Sequence, residues 1–293
     1  MKRILSLVLV VVLSLACLVA CGGGDPEYTL SIAVDNGLGS ISRGKVTSIA
    51  VAIVADEDGK IVAARFDSFE QALSADGSVA RITTKVEKGA GYTGMSKGSW
   101  EEQAKAFENF LVGKTAADVA ALDTSADNVS SEGLVAGCTM KSSVPVFQTL
   151  VAKAFAYEQK VSFATSEEIT LGFGINAAFA GTKITADFGA VVFGGDKVVA
   201  AMIDSVDTAS YAYGDATTAT YTGTKNELGE DYDKNNVMAA GDWYKQAQSF
   251  ADRSLGMTLA ELANLSTDKV EGGCTIYAGG LKSVLVLAAG YAR

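Results

Sequence analysis

Apolar and polar positions fall into the same order twice along this chain. Apolar runs of strand length, Thr29 to Val34 and Ser48 to Val54, open the first half, and Ile169 to Ile175 and Ile184 to Phe193 open the second. Runs of that length, rich in Val, Ile and Ala and bounded by turn residues, predict strands. A tight turn follows each pair, Asp56-Glu57-Asp58-Gly59-Lys60 or Gly194-Gly195-Asp196-Lys197, and leads into a further apolar strand, 61–66 or 198–203. These last strands are expected to stop at Asp67-Ser68 and Asp204-Ser205, ahead of a polar, less regular stretch.

The period then changes. Trp100, Ala104, Phe107 and Leu111 recur at helical spacing behind Ser99, with Glu102 three residues on, so a capping box opens an amphipathic helix. Trp243, Ala247 and Phe250 repeat the face behind Asp242. Gly113 and Gly256 suit a left-handed C-terminal cap, and Thr115-x-x-Asp118 and Thr258-x-x-Glu261 then start a short helix. A strand around each Gly-Cys-Thr is expected next. An apolar helix then closes each unit, Val144 to Tyr157 with Pro145 in its first turn, and Leu281 to Tyr291. Strands followed by helices predict an α+β fold of two tandem homologous units, each a mainly antiparallel sheet with two or three packed helices.

The correspondence reaches single residues. TKVEKGAGY at 84–92 returns as TKNELGEDY at 224–232, and Trp stands thirteen steps before Gly in both copies. A unit of roughly 130 residues in tandem accounts for this, with boundaries at 28–158 and 159–293. Ahead of them, Lys2 and Arg3 precede an apolar run from Ile4 to Ala20 that reads as a secretory signal, residues 1–20. Leu18-Val19-Ala20-Cys21 followed by three glycines resembles the lipobox of bacterial lipoproteins, which implies lipidation of Cys21, a flexible tether over 21–27 and an extracytoplasmic protein anchored to the cell membrane. A cut before Cys17 is the competing site, and lacks the glycine tether.

Composition narrows the chemistry. The formal charge is −10, and loss of Lys2 and Arg3 makes the mature chain more acidic still. With no basic run, nucleic acid and anionic headgroups are not expected as partners. The chain contains no histidine, which removes Ser-His-Asp and Cys-His catalysis and imidazole metal sites. No nucleophile motif stands in their place, so an enzyme is not expected. Cys138 and Cys274 occupy matching positions, and the choices are buried thiols, a disulfide, or a redox or ligand role.

The recurring polar residues are the candidates for binding. Asp67 and Asp204 either cap turns through their own backbone or act as carboxylates in proton transfer. Lys85 with Glu87 and Tyr92, and Lys225 with Glu227 and Tyr232, either form a salt-bridged loop with a tyrosine plug or meet a ligand's phosphate and ring. Trp100 and Trp243 start apolar helix faces and read as core. Glu230, Asp231 and Asp233 fit no calcium loop, and no metal site is expected.

The tandem strand, DGKI turn, Thr-Lys-x-Glu element and Trp-x-x-Gln-Ala-x-x-Phe helix resemble those of uncharacterised exported lipoproteins of anaerobic Gram-positive bacteria. More remotely, the stretch 51–78 resembles the strand–hairpin–strand of FMN-binding-domain lipoproteins. That resemblance implies flavin. The threonine motif for covalent FMN is missing, Gly91-Tyr92-Thr93-Gly94-Met95 being the nearest stretch, so only noncovalent FMN stays open. A ligand-binding module for flavin or another small molecule is the leading expectation, and a structural or interaction protein of the envelope is the alternative.

Overall fold

The computed structural model describes residues 24–293 except 36–39, 43–44, 73–76, 93–94, 96, 182, 212–218, 221–222, 234–240 and 269–273. The expected signal segment and Cys21 lie outside the described residues. Among the described residues, no helix is long and apolar enough to cross a membrane.

The first half runs β1 (Glu27–Val34), β2 (Ser40–Ser42), β3 (Lys45–Asp56), β4 (Ile61–Ala72), β5 (Ser78–Ile82), α1 (Lys85–Lys88), α2 (Trp100–Leu111), α3 (Ala116–Ala120), α4 (Ala126–Ser130) and α5 (Val144–Ala156). The second runs β6 (Val161–Ala164), β7 (Ile169–Ala180), β8 (Lys183–Gly194), β9 (Lys197–Tyr211), β10 (Ala219–Thr220), α6 (Lys225–Leu228), α7 (Glu230–Asp233), α8 (Trp243–Asp252), α9 (Leu259–Ala263) and α10 (Ala278–Gly290). The class is α+β, and every strand pairing is antiparallel.

In one sheet β3 pairs with β4 on one edge and with β1 and β2 on the other, and β6 flanks β1; the second sheet has the order β10-β9-β8-β7-β5. The edges are exchanged. β5 leaves the first half to pair with β7, and β6 pairs with β1 although it opens the second half.

Four layers result. The inner faces of both sheets share one core, in which Leu30, Ile32, Ala52 and Phe69 meet Leu171, Phe173, Phe188 and Met202. Alternate residues of the same strands face outward. Val51, Ile53 and Phe66 pack under α2 and α5, while Val191, Ala201 and Ile203 pack under α8 and α10. Burial on both faces is why the strands read as unbroken apolar runs rather than as alternating ones.

Local signals behave as the chemistry requires. Gly59 and Gly195 turn the two hairpins at φ 73° and 62°, a region open to glycine at no steric cost. Gly113 and Gly256 end α2 and the turn beyond α8 at φ 81° and 75°. Each glycine also docks on a hairpin strand: Gly113 N donates to Ile61 O at 2.8 Å, and Gly256 N to Val198 O at 2.8 Å.

Three expectations are corrected. β4 and β9 do not stop at Asp-Ser but continue to Ala72 and Tyr211, so both aspartates lie within strands, opposite Ala50 and Phe188. The turn-cap role therefore falls. The stretch beyond holds short helices rather than irregular chain, because Thr84–Glu87 and Thr224–Glu227 are capping boxes that start α1 and α6. No strand forms at Cys138-Thr139 or Cys274-Thr275; Gly273 lies outside the described residues. Gln103 Oε1 accepts from the Thr139 amide at 2.8 Å and Gln246 Oε1 from the Thr275 amide at 2.7 Å. A buried helix glutamine supplies the acceptor that a neighbouring strand would have offered.

Candidate functional site

Each half gathers its recurring polar residues at one joint, where the hairpin's second strand meets the short capped helix. In the first half Asp67 Oδ1 accepts from Ser68 N at 2.7 Å and from Val86 N, in the first turn of α1, at 3.2 Å. In the second, Asp204 Oδ1 accepts from Ser205 N at 2.7 Å and from Asn226 N of α6 at 3.1 Å. The first amides of a helix have no partner within it, so each carboxyl serves as a tertiary acceptor for one of them. Burial pushes Asp67 up to about 7 and Asp204 up to about 6, against the lowering effect of these donors and of the Thr84 and Thr224 hydroxyls. Each accepts from its own strand and its own short helix, and among the described residues no hydrogen bond joins the two aspartates.

The lysines are drawn inward rather than offered to solvent. Lys85 is buried, with Nζ 3.1 Å from Glu70 Oε1 and 5.0 and 5.6 Å from the centres of the Tyr92 and Trp100 rings. Burial lowers its pKa, and Glu70 opposes that. Tyr92 donates its hydroxyl to Glu70 at 3.0 Å, and burial beside that carboxylate pushes the phenol up to about 12. Lys225 Nζ likewise lies 5.1 Å from the Tyr232 ring and 4.7 Å from Trp243. A cation between two aromatic faces is stabilised by their quadrupoles. Glu87 and Glu227 close the capping boxes and pair with Arg81 and Lys153. The eight candidate residues thus assemble as two sets of four, each largely satisfied by its own neighbours.

Residues outside the repeat motif complete the joints. Tyr157, at the end of α5, reaches into the second half and donates its hydroxyl to Asp204 Oδ2 at 2.6 Å. Its counterpart Tyr291 ends α10 beside the first half, where burial raises its pKa first and Glu87 and Asp67 add to it. Lys153, one turn before Tyr157, pairs with Glu227 and donates to Val34 O at 2.6 Å. Asp35 lies near it, pushed up to about 7 by burial although Ser48 donates to it. A matching Tyr at the end of both closing helices was a legible signal for this crossing, whereas Lys153, opposite Leu287 in the repeat, and Asp35 carried none.

A second crossing joins the halves through charge. Glu108, buried on α2, accepts from Phe66 N at 2.8 Å and pairs with Arg65 at 3.3 Å and Arg293 at 3.2 Å. Arg65 also donates to Leu171 O at 3.1 Å.

Open space lies beside the second joint. A cleft of about 390 Å³ is lined by Gln159, Lys160 and Val161 on one side and by Asn226, Tyr244, Lys245, Gln248, Ser249 and Asp252 on the other. Asn226 is buried there, its Nδ2 donating to Ile203 O at 2.9 Å, while its Oδ1 has no partner among the described residues. Amides, a phenol and two ammonium groups make a wall rich in donors. The repeat did not point here, because the Gln159–Val161 wall, although it belongs to the second half, leads into β6, whose place is set by pairing with β1 of the first.

Cys138 and Cys274 are free and buried in separate outer cores, which removes the disulfide between them. Among the described residues no group of His, Cys, Asp and Glu could hold a metal ion. No family model, curated protein or solved structure matches this chain.

Proposed function

We propose that this chain is an extracytoplasmic binding module, anchored to the membrane through lipidated Cys21, that takes a small polar molecule in the cleft between the start of β6 and helices α6 and α8. The cleft carries the reading: about 390 Å³ of space falls within the range of small-molecule sites, and its lining offers convergent amides and hydroxyls rather than a catalytic constellation. Noncovalent FMN is the first ligand to test, on the strength of the hairpin resemblance. Its ring would meet Tyr244 and its phosphate Lys160 or Lys245, not the enclosed Lys85 and Lys225.

Titrating FMN into the full chain while following flavin fluorescence tests the ligand, with quenching expected and abolished by Lys245→Glu. No quenching removes FMN. Incorporation of labelled palmitate, lost in Cys21→Ala together with membrane fractionation, tests the anchor. A second reading, an envelope interaction protein, is favoured by Val112 and Leu255, apolar residues 54% and 47% exposed at matching corners of the two halves.

A further inference from the structure

One carboxyl ties both walls of the cleft together. Asp204 Oδ1 accepts from the Asn226 amide at 3.1 Å, and Asn226 belongs to one wall. Its Oδ2 accepts from the Tyr157 hydroxyl at 2.6 Å, and the chain leaving Tyr157 becomes the other wall, Gln159 to Val161. Asp204 itself has no exposed surface. The Thr224 hydroxyl adjoins both groups, 3.5 Å from the Tyr157 oxygen.

We infer that Asp204 is a proton-controlled clasp of the cleft, closed while its carboxyl is neutral and loosened when the carboxyl ionises. This rests on the cleft being the ligand site. In the closed form the carboxyl is shut away from water, and ionisation there forfeits hydration that opening the walls restores. The neutral acid keeps the closed geometry by accepting from Asn226 and Tyr157 without the cost of an enclosed charge.

The surrounding charges do not override this. α6 presents Glu227 and Lys225, the first paired with Lys153 and the second turned onto Tyr232 and Trp243. α5 presents Tyr157 and Lys153, with Asp35 of the β1 end beside the latter. β8 places Phe188 opposite Asp204 and sends Asp187 to its other face, against α10. Burial holds Asp204 near 6 against an ordinary 3.8, so the linkage sign is fixed: acid closes, and raising the pH through about 6 opens. The first half has no such clasp, since among the described residues no hydrogen bond joins Tyr291 to Asp67.

The test needs no ligand. Amide exchange of Asn226 and of β6 in the full chain, corrected for the intrinsic pH dependence, is expected to speed up about 50-fold from pH 4 to pH 8. Asp204→Asn should abolish the response at both places. Tyr157→Phe should abolish it in β6 and keep it at Asn226, which shows the clasp even if Asp204→Asn does not fold. A flat wild-type profile, or β6 titrating unchanged in Tyr157→Phe, overturns the clasp. A titrating clasp in a protein that binds no small molecule condemns the ligand reading alone.

Discussion

The two halves repeat a frame and solve its outer packing differently. Under α5, Phe66 stacks on Phe147 with ring centres 4.0 Å apart, and Trp100 meets Phe147 edge-on at 5.9 Å. Under α10 the sheet presents glycine: a Cβ at Gly172 would lie 2.1 Å from Ala288 O, at Gly174 2.9 Å from Ala288 N, and at Gly189 2.8 Å from Val284 O. The strand registers place Ser31, Ala33 and Val51 at those three positions in the first half. One helix stands off the sheet on aromatic rings; the other lies on bare backbone. Charge follows the same divide, for Arg65 and Glu108 stand where the second half has Met202 and Ala251. The features shared by both halves, namely the capping boxes, the helix glutamine on the Gly-Cys-Thr loop, the buried aspartate and the enclosed lysine, are therefore requirements of the frame, whereas volume and charge are interchangeable solutions.

Breaking the charge solution should cost most. Glu108→Ala takes the buried carboxylate from Arg65 and Arg293, leaving Arg65 only carbonyls and Arg293 only Glu101, and strips the Phe66 amide of its acceptor; it is expected to destabilise by about 3 kcal/mol in chemical denaturation. Arg65→Met combined with Glu108→Ala imports the second half's answer and should recover much of that loss. If the double variant is as unstable as the single, the two halves are not interchangeable at this pair.

Next in size is the glycine bed. Gly174→Ala should cost about 1–3 kcal/mol by forcing α10 off the sheet, while Ala33→Gly, at the matching position, should cost about 1 kcal/mol through lost contact and backbone entropy. Equal costs would deny the difference in helix standoff.

The shared frame makes the opposite demand. Gln103→Ala and Gln246→Ala each leave a part-buried threonine amide without its acceptor, and each should cost about 1 kcal/mol, equally in the two halves. A large inequality would show that the recurring glutamine is not a common requirement.

A smaller effect is read in pH. Asp67 and Asp35 are raised to about 7 and Asp204 to about 6 by burial. Raised carboxyls contribute stability that is full below their unfolded value and is lost as pH climbs through 6 to 7. The melting temperature is thus expected to be higher at pH 5 than at pH 8. Asp67→Asn should flatten that slope more than Asp204→Asn; a slope that both variants leave intact would place its origin elsewhere.

What could be read beforehand follows the range of the interactions. Hairpin glycines, the Ser99 and Thr115 caps and the Trp-Ala-Phe face are local chemistry, legible within a few residues. Asp67 and Asp204 misled because an Asp-Ser pair after an apolar run looks like a turn, and only burial between two sheets makes it a strand interior. The exchange of β5 and β6 had no local signal, since edge pairing is decided by where the halves dock. The Arg65–Glu108 pair could have been suspected, because both its positions turn apolar together in the second copy. The cleft lies within the second unit, but its Gln159–Val161 wall runs into β6, which is held by β1 of the first, so it could be seen only once both were in place.

The claim that this cleft holds a small molecule is tested most directly by native mass spectrometry of the full chain extracted from its own membrane. The expected result is a dissociable small-molecule mass on the lipid-modified protein, absent from Gln159→Trp, which fills the cleft from its exposed wall and keeps the melting temperature. A protein that carries its lipid alone, or a bound mass indifferent to Gln159→Trp, would contradict it.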